Sequence, residues 1–167
     1  MIGCAFSCKK TIENAVTTRP VNAAPAASDS RPDILRSVTG NYQTRGSQTI
    51  YDGQANEDGS NISRILDFFI EKKIVPSADK RHFTCPYGYG KYMQKGWKYI
   101  VGYDVKNNRV TLAPDAVMAA EIVPGSFKVL YAAYDASSKS FTFQTRFTAL
   151  EDNGNESEMM EPLVKIE

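Results

Sequence analysis

From Gly40 onward the chain alternates. Tyr42, Thr44, Gly46, Gln48 and Ile50 share one parity, and Gln43, Arg45, Ser47, Thr49 and Tyr51 share the other, with β-branched and aromatic types prominent. A period of two sends alternate side chains to opposite faces, so the run predicts a long strand, with Gly46 marking a bulge or bend. Asp52 to Asn61 is polar and glycine-containing, and reads as a loop. Ile62 to Val75 is the one ambiguous segment, because Ile65, Phe68, Phe69 and Ile74 would also line a helix face behind an Asn61 N-cap. Pro76 bounds it and the surroundings are β-rich, which favours a strand.

The remainder reads as hairpins. Ser77 to Lys80 turns into a strand over Arg81 to Pro86, the only one to carry a histidine, His82, and glycine-rich Tyr87 to Tyr92 follows as a loop. Trp97, Tyr99 and Val101 alternate with Lys98 and Ile100, and Asp104 to Asn108 turns into Arg109 to Pro114. Phe127 to Tyr134 pairs across Asp135 to Lys139 with Ser140 to Thr148, where Phe141, Phe143, Thr145 and Phe147 form the buried row. After an acidic loop from Glu151 to Glu158, Pro162 to Ile166 reads as a closing strand. The fold class is therefore all-β: an antiparallel meander of seven to eight strands, forming a lipocalin-like barrel or a two-sheet sandwich.

The first 37 residues have no such pattern. Met1 to Ser7 is short and mostly apolar, then Cys8 is followed by Lys9-Lys10. A small residue before a cysteine at the end of an apolar run suits a bacterial lipoprotein signal, with Cys8 as the lipidation site and Cys4 as a competing acceptor. A secretory core needs about 7 to 15 apolar residues, so residues 1–8 read as the truncated end of a longer signal. Residues 9–37 hold Pro20, Pro25 and Pro32 among small residues with no aromatic, and read as a disordered tether. Residues 38–167 form the β domain. With Cys8 lipidated, Cys85 is the one thiol left and no disulfide framework exists. At 167 residues, 42% hydrophobic and with net charge +1, the chain suits one globular domain plus a tail, and gives no reason to expect nucleic acid as a partner.

Catalytic and metal chemistry find little support. His82 has no Ser or Cys motif to recruit it as a base, and with Cys85 it does not close a metal site. Glu151, Asp152, Glu156, Glu158 and Glu161 lack calcium-loop spacing. Gly88-x-Gly90 lacks the helix that would make it a phosphate cradle. No enzyme activity, cofactor or metal is expected. What remains is an aromatic cluster of Tyr87, Tyr89, Tyr92, Trp97 and Tyr99, interleaved with Lys91, Lys95 and Lys98. Such rings suit stacking on sugar faces or a protein interface if presented to solvent, and simple core packing if not.

Several stretches carry a resemblance. Val38-Thr39-Gly40-Asn41-Tyr42-Gln43-Thr44-Arg45-Gly46, the hairpin from Tyr134 to Phe147, and Met160-Glu161-Pro162-Leu163-Val164-Lys165 resemble the C-terminal β-domain of uncharacterised Bacteroidetes lipoproteins found beside starch-utilisation-type glycan-uptake machinery. The Ser-Cys-Lys-Lys start is similar to lipoproteins of the same group. The resemblance implies an outer-membrane, lipid-anchored accessory module that binds glycan. The alternatives are a structural or docking subunit of an outer-membrane uptake complex, and a lipocalin-like carrier of an apolar ligand. A glycan platform requires exposed tyrosines and Trp97, a carrier requires an apolar chamber, and a docking subunit requires a broad exposed patch.

Overall fold

The alternating runs become strands wherever a neighbour pairs with them. The computed structural model describes residues 32–152 and 154–166, in eight strands and three short helices. The strands are β1 (Gly40–Tyr51), β2 (Ile62–Pro76), β3 (Phe83–Pro86), β4 (Lys98–Asp104), β5 (Arg109–Pro114), β6 (Lys128–Asp135), β7 (Ser140–Thr148) and β8 (Glu156–Ile166). They form one antiparallel sheet in the order β5-β4-β3-β2-β1-β8-β7-β6. The last strand thus returns to pair with the first, and the sheet curls into a nearly closed barrel. Its open seam lies between β5 and β6, and Tyr103 of β4 packs edge-on against Tyr134 of β6 with centroids 5.2 Å apart.

The period-two reading holds inside the barrel. Tyr42 and Thr44 of β1, Phe141, Phe143, Thr145 and Phe147 of β7, and Met159, Glu161 and Leu163 of β8 are all buried on the inner face. Gly46 is required for close packing, because a Cβ there would lie 2.6 Å from the Met160 carbonyl oxygen and would strike the Phe68 ring. Opposite it the β1–β8 ladder skips Arg45 and Gly46. Pro162 faces this gap and has no N–H to offer.

Three helices were not legible as such. α1 (Pro32–Val38) occupies residues assigned to the disordered tether, so the folded domain begins earlier than position 38. Proline suits a first helical turn, Asp33 complements its dipole, and Ile34 and Val38, four apart, bury one face against the barrel. The Tyr42 hydroxyl donates to the Val38 carbonyl at 2.6 Å, and Lys165 Nζ donates to the Arg36 and Ser37 carbonyls at 3.2 and 2.8 Å. α2 (Lys91–Gln94) interrupts the expected 87–92 loop, and α3 (Ala116–Glu121) is started by Asp115, whose carboxylate accepts from the Met118 N–H at 2.9 Å. No described helix is long and apolar enough to cross a membrane.

Two further boundaries differ. His82 stands in a turn, not a strand, because Asp79 Oδ1 accepts from the backbone N–H of Arg81 and His82 while Oδ2 lies 2.5 Å from His82 Nδ1. β8 starts at Glu156, so the C-terminal part of the expected acidic loop is strand.

Candidate functional site

The predicted aromatic platform is core. Tyr87 and Tyr99 are fully buried, Trp97 is 1% exposed and Tyr92 3%. Tyr87 packs edge-on against Tyr99 and Phe147 at 4.9 and 5.5 Å, and Tyr92 stacks on Trp97 at 5.0 Å. The cause is register: Trp97 and Tyr99 share the inward parity leading into β4, and Tyr87 and Tyr92 turn into the same ring cluster. Tyr89 alone keeps an accessible surface, with one face stacked on Phe68 at 4.5 Å. The barrel interior is therefore filled by rings.

A polar network is embedded among them. Lys72 and Glu161 side chains have no exposure and form an ion pair. Lys72 Nζ also donates to the Pro86 carbonyl at 2.9 Å. Glu161 Oε1 accepts the Gly88 N–H at 3.1 Å, and Oε2 accepts the Tyr99 hydroxyl at 2.7 Å, itself 3.0 Å from Thr145 Oγ1. A buried charge is tolerated only when paired and hydrogen-bonded. This pair ties β2, the 86–88 turn, β4 and β8 together at one point. Sequence parity held the signal, since Lys72 and Glu161 are charged residues on inward positions.

Other titratable groups stand apart from this network. The Cys85 thiol is buried and pushed up to about 12 by desolvation, which makes it a poor nucleophile. Asp152 faces Lys91 at 2.9 Å, Glu151 faces Lys95 at 2.5 Å, and Glu158 accepts from Arg146 and Gln144, each at 2.6 Å. Burial raises the Glu158 carboxyl, but those two hydrogen bonds and the Arg146 charge more than reverse it, leaving it below the ordinary range. Cys4 and Cys8, and with them the lipidation site, lie outside the described residues.

Two surface features remain. At one mouth of the barrel a cleft of about 390 Å³ lies between β1, β2 and the 89–92 segment, lined by Gln48, Arg64, Tyr89, Lys91, Asp152 and Asn155 among others. The second feature is the edge of β2. Ile62 and Arg64 to Ile74 pair with β1 alone, Ser63 being skipped at a bulge, and only Val75 and Pro76 reach β3. On the outer face of that stretch Ile65 is 59% and Phe69 57% exposed.

No family model, curated protein or solved structure matches the chain.

Proposed function

We propose that this domain is a non-enzymatic docking module of the bacterial envelope, anchored through lipid at Cys8, that engages a protein partner along the open edge of β2. The carrying observation is the stretch from Arg64 to Ile74, paired along its β1 edge alone, whose outer side chains Ile65 and Phe69 stand in solvent. Along one side of such an edge alternate N–H and C=O groups await a partner. An added strand would satisfy them, and its alternate side chains would meet the outer face of β2. Ile65, Asp67 and Phe69 share that face, so the partner segment is extended and carries a basic residue between two apolar ones. An outer-membrane uptake complex is the expected source. A ring-filled interior favours docking over carriage of an apolar ligand.

Co-purification from the producing bacterium tests this reading. Wild-type protein should recover identified outer-membrane uptake components, and an Ile65→Lys, Phe69→Lys variant of unchanged thermal stability should lose them. Retention of the same components by the variant, or recovery of none by wild type, overturns the reading. Cys8→Ser, with Cys4 also replaced, should leave the detergent phase; a variant that stays there removes the anchor.

A further inference from the structure

The mouth cleft is walled by Arg64 and Leu66, on the opposite face of β2 from Ile65 and Phe69, and its chemistry is different. Its volume, about 390 Å³, is at the lower end for small-molecule sites and admits one or two six-membered rings. We propose that it binds a hydroxyl-rich ring bearing an acid group, that is, an acidic sugar unit whose anion pairs with Arg64 and whose ring lies against Tyr89.

The pairing of the charged groups points to the anion. Lys91 is matched by Asp152 at 2.9 and 3.3 Å, and Lys95 is shared by Glu151 and Glu121, each at 2.5 Å. The Arg64 side chain makes no ion pair or hydrogen bond among the described residues, so its guanidinium is the cation of the cleft wall with no carboxylate against it. Its planar fork fits a carboxylate or a sulfate in a two-pronged contact. Arg64 stands close enough to Tyr89 for its charge to oppose part of the rise that burial imposes on the Tyr89 hydroxyl.

Geometry points to the ring. Tyr89 is held by its stack on Phe68, so the part facing the cleft is fixed before a ligand arrives. A preformed aromatic surface avoids the ordering cost that weakens binding by loose side chains. Gln48 is fixed too, because its Nε2 donates to the Tyr92 hydroxyl at 2.9 Å and to Ser157 Oγ at 3.2 Å. With Nε2 engaged, the carbonyl of Gln48 and the amide of Asn155 are the neutral partners for ligand hydroxyls. A flat aromatic acid would satisfy Arg64 and Tyr89 but leave both amides without a ligand partner, and that favours a sugar.

The test is an amide chemical-shift titration of the full chain with digalacturonate, a sulfated disaccharide, an uncharged disaccharide and benzoate. One of the two anionic sugars should shift Tyr89, Lys91 and Asn155, and which one does so identifies the acid group. The uncharged sugar should bind at least about tenfold more weakly, as one lost charge-assisted contact implies. Arg64→Gln and Tyr89→Ala should each weaken binding by about tenfold or more with an unchanged spectrum elsewhere. Silence toward both anionic sugars, equal binding of the uncharged sugar or of benzoate, or undiminished binding by Arg64→Gln overturns the proposal. The Ile65→Lys, Phe69→Lys variant should bind the sugar normally, so failure of the docking reading and failure of this one are read separately.

Discussion

Phe68 and Phe69 are adjacent in β2, yet one is 9% exposed and the other 57%. The contrast extends to the regions around them. On the β4, β7 and β8 side every strand lies inside the curled sheet, and Tyr87, Trp97, Tyr99, Phe143 and Phe147 fill the interior with mutual contacts at 4.9 to 5.7 Å. On the β2 side the first twelve or so positions have a neighbour on one edge only, and their outward apolar residues meet solvent. Aromatic and branched residues appear in both regions. What differs is strand pairing, so composition alone does not separate core from candidate interface.

The sharpest way to break this comparison is to truncate a ring in each region. Trp97→Ala removes a side chain wedged among Tyr87, Tyr92 and Phe147, and should cost about 3 to 5 kcal/mol in urea denaturation. Phe69→Ala should stay within about 0.5 kcal/mol, as an exposed substitution does. Comparable losses at both sites would mean that the β2 face is packed in solution and unavailable to a partner.

The buried ion pair joins the two regions, since Lys72 comes from β2 and Glu161 from β8. Glu161→Ala leaves the Lys72 ammonium uncompensated and strips the acceptor from Tyr99 and Gly88, so a loss of about 3 to 5 kcal/mol is expected. Lys72→Met with Glu161→Leu removes both charges and keeps volume, and Tyr99 retains Thr145; that double variant should recover to within about 1 kcal/mol of wild type. A double variant as unstable as the single one would show that the hydrogen bonds, not the stranded charge, set the cost.

How much of this was legible follows from the same physics. Period-two alternation is a local property, and it marked β1, β7 and the strand character of β2 through Phe141, Phe143, Tyr42 and Thr44. Barrel versus sandwich depends on β8 pairing with β1, a contact between distant segments that no local pattern encodes. The short helices escaped because four to seven residues carry too little periodicity to register. At the candidate site, Tyr89 was named from sequence, but Arg64, Gln48 and Asn155 were not. Arg64 was detectable in principle, as a cation on the inward parity of β2 next to Leu66 and Phe68.

A smaller effect is expected at the junction between tether and barrel. Val38 is fully buried, and Val38→Ala deletes two methyl groups from contact with the barrel end. At about 0.8 kcal/mol per buried methylene-sized group the loss should be about 1.5 kcal/mol by denaturant titration. No measurable change would return residues 32–38 to the tether. It would leave the closed region to begin at Gly40.

The smallest effect distinguishes the turns of the two regions by acid. The Asp135 carboxyl, in the β6–β7 turn, is held down to about 2 by the Ser137 hydroxyl at 2.6 Å and the Ser137 N–H at 2.8 Å. In the β1–β2 loop Asp58 is also lowered, by the Ser60 N–H at 2.9 Å. A carboxyl whose folded pKa lies below its unfolded value stabilises the fold above the unfolded pKa, and that contribution disappears as pH falls through the folded one. The β6–β7 turn should therefore weaken as pH falls from about 4 to about 2, and the β1–β2 loop should weaken as pH falls below the ordinary aspartate range. Asp135→Asn should flatten the fall of the urea midpoint across this window, because its turn joins two strands of the closed barrel. Asp58→Asn should flatten it less, because its loop closes onto the half of β2 that has one neighbour. Equal flattening by the two variants would place the β1–β2 end in the same cooperative unit as the barrel, and the open edge would then be rigid before any partner arrives.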